Sequence, residues 1–285
     1  MYQAIDASNA DSSGFISGSQ ANEYEDHYGA TIEAEIMLPT WSPEYDDFNR
    51  RYTNVSLFGQ ATVNTSSVAS LSGTTTTFIT EDVANFQVLA VKEDINSRNV
   101  YFKLTSSYSP YPFPILTSST FFGAYDNTKW NFSVRVKPSN YPLPQVNGAD
   151  NSNLTYDLIF QGRNNIAGTT TQTFSLTSSL SKGVGENFLR AAKRLYVGAQ
   201  RTNLTGALIN NSDVQVSAVR YWAKYLEDGA LAQHTYDVDN HGISGSYRNI
   251  SPFDGDNNNL DILNLHTLAL NWKFSDLNTS DGSGN

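Results

Sequence analysis

Apolar and polar residues alternate in short runs along most of the chain, and Gly, Pro, Asn, Asp and Ser punctuate the runs. Phe86, Val88 and Ala90 fall on one parity, as do Val100, Phe102 and Leu104, and again Leu154, Tyr156, Leu158 and Phe160. A period of two places such residues on one face of a strand. The Thr, Val, Tyr and Phe that dominate these runs pack well on a pleated, half-buried surface. Repetition of such runs between turn residues predicts an all-β sandwich over the first 235 residues. Val214, Val216, Ala218, Arg220 and Trp222 share one parity, while Val219 and Tyr221 are apolar on the other, so this strand reads as buried on both faces, and Trp222 is expected in the inter-sheet core together with Trp130. Helical signals are confined to Glu186–Lys193 and Asp228–His234, the second with Asp228 as N-cap and Leu226 and Leu231 folding onto the sandwich. Each is too short to stand alone. The proline-rich stretches around Pro110, Pro112 and Pro114, and from Pro138 to Asn151, belong at an end or edge, because proline cannot donate to a sheet ladder.

Beyond residue 235 the texture turns to Asp, Asn, His and Gly, and then comes one clean strand with Leu268, Leu270, Trp272 and Phe274 on one face. That stripe must be covered by the sandwich, by a second copy, or by a further domain. Because the sandwich reads as already closed by Val214–Trp222, the expectation is a sandwich domain over 1–235 and, over 236–285, a connector and strand extension given to an interface.

Several runs, taken in order, resemble a known family. Thr31–Pro39 resembles an early strand that ends at a proline, Val55–Gln60 the short strand after it, and Asp126–Val136 a turn, tryptophan and strand. Lys193–Gly198 and Thr205–Leu208 resemble its hydrophobic strand before a glycine and the glycine before its closing strand, and Val219–Asp228 with Ala230–His234 that strand and its short helix. The chain is thus similar to the laminin-G-like, concanavalin A-like jelly rolls. The resemblance implies a two-sheet antiparallel jelly-roll sandwich with one or two short helices and a C-terminal extension, acting as a non-catalytic binding module. The family often carries acidic residues just before the closing Val-Arg, where this chain has Ser217 and Ala218.

Composition narrows the partners. A net charge of -10 and a pI near 4.7 disfavour nucleic acid and anionic membranes, whose phosphates are met by Lys and Arg. With no cysteine there is no disulfide framework, thiolate metal site or thiol nucleophile. No apolar run approaches the roughly 18 to 20 residues that span a bilayer, so no membrane insertion is expected. The start lacks a secretory pattern and Asp281–Asn285 has linker composition, so the chain reads as a piece of a longer protein. Its low charge and its Asn, Ser, Thr and aromatic content resemble structural and tail proteins of tailed bacteriophages. A place on a virion or extracellular surface follows, with a glycan or host-surface receptor, an oligomer or neighbouring virion proteins as partners. A secreted bacterial adhesin module and a polysaccharide-active enzyme of the same fold are the alternatives.

The candidate chemistry follows from residue type. Sugar rings stack on aromatic faces while polar side chains read their hydroxyls. Trp41, Tyr45, Asp46, Asp47 and Tyr52 supply both in one loop, Tyr111 and Phe113 in a second, and Tyr141 in a third; the competing expectation is that such aromatics plug the sandwich ends. Asp237 and Asp239, and Asp254 and Asp256, open like calcium loops but have Arg248 and Leu265 at the twelfth place, where a bidentate Glu belongs. They read first as hydrogen-bonded polar turns, so no cofactor is expected, and calcium is the one alternative they raise. Glu33 and Glu35 have the parity of a glycosidase pair, but such enzymes need two carboxylates about 5 to 9.5 Å apart across an open cleft. The expectation is that no such cleft exists and that these are strand-face charges.

Overall fold

The fold was obtained as a computed structural model describing residues 3–5, 29–40, 52–62, 84–139, 155–166, 168–190, 193–201, 207–236 and 267–274. Its strands are β1 (Gln3–Ile5), β2 (Ala30–Leu38), β3 (Asn54–Thr62), β4 (Phe86–Lys92), β5 (Val100–Thr105), β6 (Leu116–Thr117) and β7 (Thr128–Pro138). They continue with β8 (Thr155–Ile166), β9 (Thr169–Ser181), β10 (Lys193–Val197), β11 (Gln200–Arg201), β12 (Leu208–Asn210), β13 (Gln215–Trp222) and β14 (Leu268–Lys273). Among the described residues two helices join them, α1 (Lys182–Arg190) and α2 (Asp228–Tyr236).

The expected all-β sandwich is what forms. One antiparallel sheet runs β1-β10-β3-β4-β5-β6 and the other β14-β13-β2-β7-β8-β9, with a small β11-β12 hairpin besides. Strand alternation builds the core between them. Ile32, Ala34 and Ile36 of β2 and Trp130, Phe132 and Val134 of β7 meet Phe58, Phe86, Val88 and Phe102 of the other sheet, all at most 1% exposed. Phe102 lies 4.7 Å from Trp130 and 4.8 Å from Phe132, ring to ring, so aromatics from both layers interlock. A bulge in β3 between Ser56 and Phe58 lets Leu57 and Phe58 both be buried. Gly162 of β8 faces Phe174 of β9; a Cβ there would stand 2.4 Å from the Phe174 ring, so only glycine lets that ring lie across the strand.

Three expectations change. The stripe at 268–274 belongs to the sandwich: β14 pairs with β13, setting Leu270 beside Tyr221 and Trp272 beside Val219. Leu270 is buried, and Trp272 and Phe274 pack on the core, because β13 offers an open edge that the stripe extends. Trp222, expected in the inter-sheet core with Trp130, is fully buried on the opposite face, in a separate cluster with Leu226 and Leu231. Finally, α2 starts at Asp228, but the carbonyl of Glu227 accepts the first helical bonds, so Glu227 takes the capping place.

Candidate functional site on the outer face of the second sheet

The register of the second sheet decides which polar side chains meet. Since Ile32, Ala34 and Ile36 point into the core, Thr31, Glu33 and Glu35 point outward. Pairing then sets Arg220, Glu33, Ser133 and Gln161 in one cross-strand row, and Ala218, Glu35, Asn131 and Arg163 in the next. An outer face of this kind is ordinarily solvated. Here Glu33, Glu35, Ser133, Arg135 and Arg220 are all at most 4% exposed, while α2 and the segment before it pack on this face and bond to it.

Two networks hold that cover in place. His234 Nδ1 of α2 stands 2.9 Å from both oxygens of Glu33, and Trp222 Nε1 donates to Glu33 Oε1 over 2.6 Å. The indole and imidazole stack with centroids 5.4 Å apart and planes 15° from parallel. A carboxylate oxygen accepts here, so Nδ1 carries the proton that faces Glu33, while Nε2 is left buried without a hydrogen bond. In the second network Arg135 Nη1 donates to the carbonyl of Leu226 (2.8 Å) and to the Tyr225 hydroxyl (3.1 Å), and Nη2 to Asp228 (2.7 Å) and Gln161 (3.3 Å). Burial raises the Tyr225 phenol pKa, with Arg135 opposing and Glu227, Asp228 and Asp157 adding to it. Thr31 completes the cover, donating to the carbonyl of Lys224 and accepting from the amide of Leu226.

Beside these networks lies a cleft lined by Glu33, Glu35, Asn131, Ala218 and Arg220, with room for about one water-sized group. Ala218 leaves the gap. Arg220 is only 2% exposed, yet its Nε and Nη2 have no hydrogen-bond partner, and neither does Ser133 Oγ. Glu35 Oε2 has no hydrogen bond either, only the Lys129 ammonium 3.2 Å away. A buried guanidinium without partners is costly. The cleft is therefore lined by Arg220, whose Nε and Nη2 are buried and unused, and by Glu35, whose Oε2 is buried without a hydrogen bond. Two carboxylates oppose an anion there, and Arg220 with Lys129 opposes a cation, so the matching group is small, neutral and both donates and accepts, as a water or a hydroxyl does.

The aromatic candidates fall elsewhere. Tyr111 is exposed at one end of the sandwich, its ring 6.0 Å from that of Tyr108. Phe113, expected to face a ligand with it, is instead a plug: 4% exposed, it packs on Phe188 of α1 at 5.0 Å and on Phe86 at 6.4 Å, filling the open end between the sheets. Tyr52 is half-buried against the core. Trp41, Tyr45, Asp46, Asp47 and Tyr141, and the calcium candidates Asp237, Asp239, Asp254 and Asp256, lie outside the described residues. Among the described residues no group of three or more His, Asp or Glu could hold a metal, and no helix is long and apolar enough to cross a membrane. Sequence reasoning weighed Glu33 and Glu35 but missed Arg220, Asn131 and His234. The available signal was that Arg220 and Trp222 share a parity opposite to the apolar Val219 and Tyr221.

No family model matches the chain, and no curated protein does. Among solved structures, the binding domain of botulinum neurotoxin serotype G aligns at 8% identity with a TM-score of 0.30, over 74% of this chain and 36% of that one. The same figures hold for a structure of botulinum neurotoxin type C, whose cell entry is described as dependent upon interaction with two ganglioside molecules. The chain thus spans 36% of the length of either structure. A likeness of that size assigns no function to this chain.

Proposed function

We propose that the chain is a non-catalytic recognition module for neutral carbohydrate, reading sugar hydroxyls at the outer face of its second sheet. The observation that carries this reading is Arg220, buried with unused donors in a cleft it shares with Glu35 and Asn131. A sugar hydroxyl satisfies both sides at once, accepting from the guanidinium and donating to the carboxylate. Catalysis fits the site poorly. Both oxygens of Glu33 face His234 and one also takes the Trp222 bond, Glu35 is held by Lys129, and the space between them admits no sugar ring. The acidic, Asn-, Ser- and Thr-rich composition supports display on a virion or an extracellular surface.

The test is a glycan array of neutral and sialylated or sulfated oligosaccharides, followed by calorimetry with the best ligand. A neutral glycan should bind, and Arg220→Met should weaken it about tenfold or more, as for loss of a charge-assisted hydrogen bond. Asn131→Ala, at a half-buried position, should weaken it with the melting temperature unchanged. Binding restricted to anionic glycans, binding indifferent to both substitutions, or release of free sugar from the ligand would each overturn the reading.

A further inference from the structure

The two ends of each sheet are unequal. The first sheet ends in β1 and β6, three and two residues long, and one end of the second is β14, six residues including Lys273. The other end is β9, thirteen residues without a charge or a proline. Proteins ordinarily blunt an edge strand with shortness, charge, proline or a bulge. The one irregularity of β9 lies near its start, opposite Asn164 and Asn165, and from Gln172 to Ser181 the strand runs unbroken. Its ladder is made with β8 alone, and its further hydrogen bonds are made by side chains, such as Gln172 Nε2 to the carbonyl of Phe122. Among the described residues, no backbone hydrogen bond reaches the second edge of β9 along its regular length.

We infer that this edge is a homodimer interface, β9 pairing antiparallel with β9 of a second copy so that two six-stranded sheets become one. The occupant is a second copy because the strand matches its own reverse, as a two-fold interface requires. A two-fold axis at Thr177 sets Thr177 on Thr177, Ser175 on Ser179 and Thr173 on Ser181, hydroxyl beside hydroxyl on the outer face, while on the core side Phe174 falls opposite Leu180 and Leu176 opposite Ser178, the one unlike pair. Thr and Ser pairs of this kind stabilise antiparallel strands. With no charge on the strand, a copy carrying a net charge of -10 meets its twin without like charges opposed at the seam, and a strongly charged partner finds nothing to pair with.

Sedimentation equilibrium of the full chain tests this independently of any ligand. The wild type should sediment at twice the 31.4 kDa of one chain. The S175K/S179K double variant, at exposed positions, should lose the dimer, because each lysine then faces a lysine of the other copy. The S175K/S179E variant should regain it, since lysine now faces glutamate at both crossings. A monomeric wild type, a dimer that survives S175K/S179K, or a failure of S175K/S179E to restore it would overturn the inference, and capture of an extended peptide by a monomeric β9 would reassign the edge.

Discussion

His234 and Glu33 show how a single contact ties two parts of the chain that are far apart in sequence. The carboxylate is 2% exposed and its described partners are the imidazole and the Trp222 indole. Replacing His234 with Ala should destabilise the protein by about 2 to 3 kcal/mol in urea unfolding, the cost of taking a hydrogen bond from a buried charged group. Glu33→Gln should lessen that cost in a double-mutant cycle, and simple additivity would show that the pair is uncoupled. Tyr125 gives a pH prediction. Its hydroxyl donates to Asp213 over 2.6 Å, and burial first, then the Asp213 charge and hydrogen bond, raise its pKa well above the ordinary value. A raised folded pKa means that the neutral phenol stabilises the fold fully below about pH 10, the unfolded value, and that this is lost as pH rises from there through the folded pKa. Unfolding free energy should therefore fall above about pH 10, and Tyr125→Phe should flatten the fall; an unchanged slope would remove Tyr125 as its cause. At this level the parity of Glu33 and Glu35 was legible in the sequence. The partners were not, because which residues of β13 stand beside them depends on a bulge between Val216 and Ala218 that no local pattern announces.

Strands β4, β5, β8 and β13 were legible because each buries an apolar face at period two, and β13 because its second face is apolar too, while β2 and β7 were legible through the family resemblance. Strand β9 escaped notice: its only apolar residues are Phe174, Leu176 and Leu180, set among Thr and Ser, and it is the Thr content that favours a strand there. The Pro110–Pro114 loop was rightly placed at an end, yet the sequence could not distinguish Phe113, which fills that end, from Tyr111, which stays outside it. Strand β14 was read correctly as a strand and wrongly given to an interface, since covering a stripe looks the same in sequence whether the cover is internal or external. The structure makes the choice testable. Leu270→Ser should lower the stability of the whole sandwich by about 3 kcal/mol, as for other buried leucines cut to small residues. An unchanged melting temperature would return the strand to an external partner.

Across the whole molecule, two apolar inner faces make the fold, and a third, polar surface is built on the outside of the second sheet. The inner faces could be read from alternation alone. The outer surface could not, because it joins Glu33 to Arg220 and His234 through sheet register and through a helix returning from the C-terminal side. Such long-range assembly turns residues that look like solvated charges into a polar network, and leaves Arg220 in the cleft with Nε and Nη2 unused. The most direct test observes that side chain. In a titration with the neutral glycan selected on the array, followed by nitrogen-proton NMR of the arginine Nε groups, the Arg220 Nε–H signal should shift and saturate with the calorimetric affinity, while that of Arg135, which does not line the cleft and whose Nη groups are held by Leu226, Tyr225, Gln161 and Asp228, should move little. Saturable glycan binding that leaves the Arg220 signal unmoved and instead perturbs the loop around Tyr111 would contradict the account.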